Sequence, residues 1–270
     1  MVSILTSVMD HFDVAVIGAG PIGSMAAKYA AKADARTILL EEHASIGWPV
    51  QCAGLLGRRA IAESELWGGS FILRSIFGAA VYSPGGRVLD FKANYSRAKV
   101  VDRRLFDRSM ALDSLREGAY LRLRSSVRKM RKDEGSCILT LADGEEIQTK
   151  IVISAEGVRA RLARQAGIAS PQAILSGAQV EVPFAVNDPE KVEVHLGQAP
   201  GLFAWVVPIS EKTARIGLCA RERGCDYLQA VLKTDVIRKR ILGSAVAMNV
   251  GGLPFGPPAA TVVDGLVAVG

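Results

Sequence analysis

The chain has 270 residues, 49% of them hydrophobic, with 33 basic and 27 acidic side chains for a net charge of +6. This composition provides for a sizeable core and excludes a disordered chain. The basic excess is too mild to argue for nucleic acid, although it suits an anionic substrate or a membrane surface.

The organising stretch comes first, from Asp13 to Glu42. Val14, Val16 and Ile17 predict a short strand. Gly18, Gly20 and Gly23 follow at G-x-G-x-x-G spacing, with Pro21 opening an Ala-rich helix. Thr37 to Leu40 predicts a second strand, which ends on Glu41 and Glu42. Gly18 suits the tight turn, Gly20 the approach of a pyrophosphate, and Gly23 close packing of helix on strand. The helix N-terminus presents free N–H groups and partial positive charge to phosphates. Glu41 is placed to hydrogen-bond a ribose, so the stretch predicts dinucleotide binding.

Residues 43–57 carry glycines and a proline and predict an irregular loop. A helix is expected over Ile61 to Leu66 and a hairpin over Ile76 to Phe91, turning at Pro84-Gly85-Gly86. Asp102 is a good N-cap for a helix from Arg103 to about Gly118. Ala119 to Ile153 predicts three strands, AYLRLRSSVRKM, CILTL and EEIQTKIVIS. By fold analogy, such a β-meander inserted in a doubly wound sheet points to a flavoprotein. A buried-type strand, Ile151 to Ser154, leads into a glycine turn and an Arg-flanked helix. Leu175 to Ala220 predicts four alternating strands as the wall of a substrate lobe. A helix from about Asp226 to Leu242, the Gly/Pro stretch GGLPFGPPAA and a last strand, Asp264 to Gly270, complete the chain.

No run of about 18 apolar residues exists, so no spanning helix is expected. Met1 to Phe12 lacks the basic start of a secretory signal. Cys52, Cys137, Cys219 and Cys225 are dispersed, with no C-x-x-C pair and no histidine cluster. Neither a metal site nor a disulfide framework is expected, and the cytoplasm is the expected compartment.

Together these motifs resemble the geranylgeranyl reductase family of FAD-dependent oxidoreductases, its archaeal digeranylgeranylglycerophospholipid reductases in particular. Besides the glycine motif and Glu41, Pro49-Val50-Gln51-Cys52-Ala53-Gly54 resembles the family loop lying against the flavin ring. Ser154-Ala155-Glu156-Gly157 stands where the family has Asp-Gly. Phe203-Ala204-Trp205-Val206-Val207-Pro208 is similar to the motif lining the isoprenoid cavity, and Asp102 to Asp107 to a D-R-x-x-F-D stretch whose arginine lies near FAD. Glu156 departs from the usual Asp by one methylene. The chain also stops at the first Gly of the family's G-D-A-A-G. That leaves open a truncated gene product, a shortened version, or half of a split gene needing a C-terminal partner chain.

The resemblance implies an α/β fold: a Rossmann-like, glutathione-reductase-type FAD-binding domain with a β-meander, and a second, mixed-sheet substrate lobe. The expected division is 1–60, 100–172 and 250–270 for FAD binding, and 61–99 and 173–249 for the substrate lobe. Gly18, Gly20, Pro21, Gly23, Glu41, Glu42, Cys52, Ala53, Gly54, Arg103, Val127, Glu156 and Gly157 are the implied FAD contacts. Phe203, Trp205 and Pro208 are the implied substrate contacts, with ordinary sheet core as the alternative. Cys52 could tune the ring, gate the cavity or assist protonation, or be a small buried apolar side chain. The arginines of Arg116 to Lys132 could greet a phosphate headgroup or form a solvated face. The implied reaction is hydride transfer from reduced flavin to a C=C bond of a geranylgeranyl lipid, with NADPH or a ferredoxin-like protein as electron donor and peripheral membrane contact. A flavin monooxygenase and a fragment inactive without its C-terminal part are the alternatives.

Overall fold

The computed structural model describes residues 10–257 and 260–270. Most of Met1 to Phe12, read above for a signal, lies outside the described residues, as do Pro258 and Ala259 of the Gly/Pro stretch. The chain forms two compact units: Met1–Trp48, Asp107–Ser170 and Pro257–Gly270 in one, Pro49–Phe106 and Pro171–Gly256 in the other.

The first unit is built on the strand Asp10–Ile17, paired in parallel with Thr37–Leu40 on one side and Glu146–Ser154 on the other. Tyr120–Arg122 and Leu266–Ala268 extend this parallel sheet outward. Val127–Asp133 and Ser136–Leu141 add the antiparallel meander to Glu146–Ser154. Successive residues of the central strand serve opposite faces, as strand geometry dictates. Ala15 and Ile17 join Ile38, Leu40, Leu139, Ile147 and Val152 in one core. Val16 joins Leu39 and the small residues Ala19, Ala27 and Ala31 in the other. Those alanines let the helix Pro21–Lys32 lie close to the sheet. Its buried Lys28 is neutralised by Asp113 at 2.6 Å, as a buried cation requires.

The second unit holds a seven-stranded sheet in the order Ala247–Phe255, Ala173–Pro183, Thr213–Ala220, Leu202–Pro208, Lys191–Ala199, Gly78–Tyr82, Val88–Lys92. One face packs Val180, Val182, Ala204, Val206, Ile216 and Leu218 against Leu228, Val231 and Ile237 of two short helices. A three-stranded sheet, Leu55–Gly57, Ala98–Val101 and Ile72–Ile76, completes it.

Several expected elements differ. AYLRLRSSVRKM is not one strand: Arg124 takes a left-handed conformation (φ 55°) and Ser125 N–H donates to the Glu41 carbonyl. Tyr120–Arg122 therefore ends the parallel sheet, and Val127 begins the meander. The helix expected to Leu242 breaks at extended Thr234, giving Gly224–Lys233 and Asp235–Arg238. The first half of GGLPFGPPAA belongs to the edge strand Ala247–Phe255, paired along its length with Ala173–Pro183. Pro254 is tolerated there because an edge strand leaves one side unpaired. The last strand shortens to Leu266–Ala268, and the helix expected from Ile61 runs over Arg58–Glu63.

The unit boundaries also differ from the expected division. Residues 49–60 and 100–106 pack in the second unit because Leu55–Gly57 pairs with Ala98–Val101. Residues 250–255 belong there through their pairing with Ala173–Pro183.

Candidate functional site

In the first unit the glycine turn is a fitted piece of backbone. Gly18 sits at φ +100°, and a Cβ there would lie 2.4 Å from the Ala155 carbonyl oxygen. A Cβ on Gly23 would lie 1.9 Å from the Gly18 carbonyl oxygen, so both positions exclude side chains. At Gly20 nothing lies within 4 Å of that position. The first two glycine requirements are thus internal packing, whereas the third keeps open ground above the turn, where a phosphate can approach the backbone. Pro21 opens the helix, a position where its missing N–H costs nothing.

Glu41 is 9% exposed at the end of the second strand. One carboxylate oxygen accepts the Ala19 N–H at 2.9 Å; the other accepts the His43 N–H at 3.0 Å and meets His43 Nδ1 at 2.6 Å. It braces the glycine turn from behind. Glu42 gathers Arg161 at 3.2 Å and Arg159 at 3.6 Å, so these two arginines converge on the same strand end. Val127 buries its side chain in the core at the start of the meander, leaving only its backbone to face a ligand.

Glu156 has a local task that sequence reading missed. Its carboxylate accepts the backbone N–H groups of Leu162 and Ala163 at 3.0–3.1 Å and the Ser154 hydroxyl at 2.8 Å. The longer side chain reaches the start of the helix Arg161–Gln165 and caps it. Gly157, at φ +65°, has open space around it.

In the second unit the loop Pro49 to Gly54 is held by the sheet. Arg215, 9% exposed, donates through Nη1 to the Ala53 carbonyl at 2.8 Å and the Val101 carbonyl at 3.2 Å, and through Nε to Glu181 at 3.2 Å. Gln179 Nε2 donates to the Cys52 carbonyl at 3.2 Å. Gly54 is obligatory: at φ +74°, a Cβ would meet the Val101 oxygen at 2.5 Å and the Arg215 guanidinium at 2.7 Å. The half-buried Cys52 thiol accepts the Gly54 N–H at 3.3 Å. Burial pushes the Cys137 and Cys219 thiols up, which makes them poor nucleophiles. Arg103 stands half-buried at the head of the helix Arg103–Arg116.

Phe203 and Trp205 share a face of their strand, with ring centroids 6.3 Å apart and edge-to-face. The indole lies over Gly217, where a Cβ would come within 2.7 Å of it, and Gln179 flanks that glycine on the other side. Trp205 also packs against Ile76, Val100, Val192 and Val207, while Pro208 is buried at the strand end. Trp205 Nε1 and Gln179 Oε1 are buried with no partner among the described residues. Arg215 and Gln179 carried no sequence signal, since each reaches the loop from more than a hundred residues away, and Glu181 acts only through Arg215.

Among the described residues no group of three or more His, Cys, Asp or Glu could hold a metal ion. No helix there is long and apolar enough to cross a membrane.

A parallel sheet with a glycine turn, an acid at the second strand end and an antiparallel meander defines a dinucleotide-binding flavoprotein of the Rossmann type. Comparison with known proteins narrows the class. The family model described as lycopene cyclase protein matches residues 13–243. Digeranylgeranylglycerophospholipid reductase of Methanocaldococcus jannaschii is 33% identical, covering 97% of this chain and 70% of the relative. One such reductase of Methanopyrus kandleri is 33% identical over 96% of this chain and 73% of its own length. The crystal structure of a geranylgeranyl bacteriochlorophyll reductase-like protein from Thermoplasma acidophilum superposes with a TM-score of 0.87 at 26% identity, covering 97% of this chain and 71% of that one. The chain belongs to the geranylgeranyl reductase family of FAD-dependent oxidoreductases.

Proposed function

We propose that this protein is a FAD-dependent reductase that saturates C=C bonds of geranylgeranyl chains in archaeal-type membrane lipids. The observation that carries this reading is the 33% identity to digeranylgeranylglycerophospholipid reductases along 97% of the chain. It is supported by a turn whose open position, Gly20, is the one that a pyrophosphate needs.

FAD, when bound and reduced by the electron donor, would supply a hydride to one carbon of the double bond, and a proton from a site donor or water would complete the saturation. The rest is the work of the chain. Gly20 would leave the backbone of the turn open to the pyrophosphate, with Gly18 and Gly23 packing the turn and Pro21 opening the helix behind it. Glu41 lies at the ribose, and Glu42 and Gly157 border the adenosine side. Glu156 fixes the turn beside the glycine motif rather than touching the cofactor with a free carboxylate. Arg103 and the Pro49 to Gly54 loop serve the flavin half, with Arg215 and Gln179 holding the loop carbonyls in place. Phe203 and Trp205, on one face of their strand, form an apolar wall that orients the prenyl chain and excludes water, with Pro208 buried at the strand end in support. The first unit is the cofactor domain in this reading and the second the substrate lobe. In this reading the protein acts from the cytoplasm with peripheral contact at the inner face of the membrane, taking electrons from NADPH or a ferredoxin-like donor.

The test is turnover under nitrogen with FAD, a digeranylgeranyl glycerophospholipid and a chemical reductant, read by mass spectrometry. Stepwise addition of hydrogen pairs is expected. An unchanged lipid, or a hydroxylated product formed only in air, would overturn the reading.

A further inference from the structure

A surface hollow of the second unit, about 470 Å³, is lined by Arg58, Arg59, Ala62, Tyr95 and Arg97. Its cations are brought together by strand register. Leu55–Gly57 pairs antiparallel with Ala98–Val101 through Leu55↔Val100 and Gly57↔Ala98. Just past that pairing Arg58 opens the helix Arg58–Glu63 and Arg97 precedes the strand Ala98–Val101, so the two arginines meet at the end of the strand pair. Both guanidinium carbons stand 5.1 Å from the centroid of the Tyr95 ring, and Arg97 also donates to its hydroxyl.

Two like charges brought this close together repel each other. Among the described residues neither Arg58 nor Arg97 is paired with a carboxylate, whereas Arg59 has Glu63 at 2.6 Å. Stacking on tyrosine fixes the two planar forks without neutralising them. Two such forks converging on an open hollow suit a tetrahedral oxyanion, which guanidinium groups recognise in bidentate fashion.

We propose that Arg58, Tyr95 and Arg97 form a phosphate-binding subsite, and that its ligand is the phosphate headgroup of the lipid substrate. This rests on the reductase reading for the identity of the lipid. The opposite end of the same strand pair is Gly54, whose carbonyl accepts the Val101 N–H at 2.8 Å. Arg58 follows four positions on, across the strand Leu55–Gly57, about 13 Å at the usual rise of about 3.3 Å per residue. An extended prenyl chain of several isoprene units spans that distance, so a headgroup held at Arg58 and Arg97 leaves its chain able to reach the Cys52 loop.

The test is equilibrium binding to the purified chain in detergent micelles. The probe is a saturated diether glycerophosphate, which cannot be reduced, compared with the same diether bearing a free hydroxyl and with inorganic phosphate. The phosphate-bearing lipid should bind the wild type more tightly than the alcohol. The Arg58→Ala/Arg97→Ala variant should bind that lipid about 10- to 100-fold more weakly, with the alcohol unaffected. Arg97→Lys, which keeps charge and fold but loses the fork, should fall between, and Arg59→Ala should change little. Equal binding of phosphate lipid and alcohol, or an unaffected double variant with a native circular dichroism spectrum, would overturn the subsite. Inorganic phosphate binding as tightly as the lipid would overturn the headgroup assignment. Because the probe is saturated, a protein that binds it but reduces no lipid would count against the reductase reading and leave the subsite standing.

Discussion

Gly20 and Gly23 lie three residues apart and answer to different constraints. A methyl at Gly23 strikes the Gly18 carbonyl at 1.9 Å, so Gly23→Ala should lose about 2–3 kcal/mol of stability and its FAD as well. At Gly20 the same methyl enters open space, so Gly20→Ala should keep the wild-type melting temperature and still bind FAD at least about tenfold more weakly. Thermal melts beside flavin titration separate the two. A Gly20→Ala protein that melts early would place Gly20 with the packing glycines. Arg215→Ala would leave the Ala53 and Val101 carbonyls without their donor and Glu181 without its partner. A loss of about 2–3 kcal/mol is expected, since Glu181 keeps partial contact with solvent. Cys52 alkylation should also quicken as its loop loosens, while buried Cys137 and Cys219 stay unreactive. An unchanged Cys52 rate in the variant would show that Arg215 does not hold the loop. The glycines were legible in the sequence because their spacing is local. Arg215 and Gln179 were not, because nothing near them in the chain indicates that a loop over a hundred residues away will dock on their strands.

At the scale of elements, period and turn chemistry carried the reading where an element stands on its own neighbours. The central strand, the glycine helix, the meander and the four long strands of the second sheet all follow that rule. The reading failed where a distant partner decides. Ala247–Phe255 contains two adjacent glycines and a proline, so its propensity argues against a strand. Nine register pairs with Ala173–Pro183 override it. Thr234 shows the reverse: an apolar pattern continues through it, yet an extended backbone ends the helix there. The short helix Gly224–Lys233 owes its place to tertiary packing, with Leu228 1% exposed against the sheet. Leu228→Ala should cost about 2–4 kcal/mol in denaturant unfolding. A change below about 1 kcal/mol would mean that the helix contributes little to that core.

At the scale of the whole molecule, one buried charge network ties acid stability to the second unit. Glu193 meets Arg240 at 2.6 Å and 2.9 Å and His195 at 3.3 Å, with the His195 ring stacked on Tyr82 at 4.6 Å. Burial alone would raise this carboxyl, but the hydrogen bonds from His195 and Arg240 and the charge of Arg240 prevail and hold it below the ordinary carboxylate range. A carboxyl lowered in the folded state contributes stability above its unfolded value, and that contribution is lost as pH falls through the folded value. Unfolding midpoints should therefore fall on acidification below the ordinary carboxylate range, and Glu193→Gln should flatten that dependence at a cost of about 3 kcal/mol near neutrality. An unaltered acid limb in Glu193→Gln would assign the acid sensitivity elsewhere.

The two units together serve a single proposed end, the transfer of reducing equivalents to a prenyl chain. The most direct measurement is a single turnover without oxygen. The FAD-loaded protein is bleached with a stoichiometric reductant, and a digeranylgeranyl glycerophospholipid is then added. The account predicts that the visible absorbance of oxidised flavin returns in step with lipid saturation, and that the saturated lipid leaves the flavin bleached. Flavin that stays bleached with the unsaturated lipid and regains its absorbance only when air is admitted would contradict it.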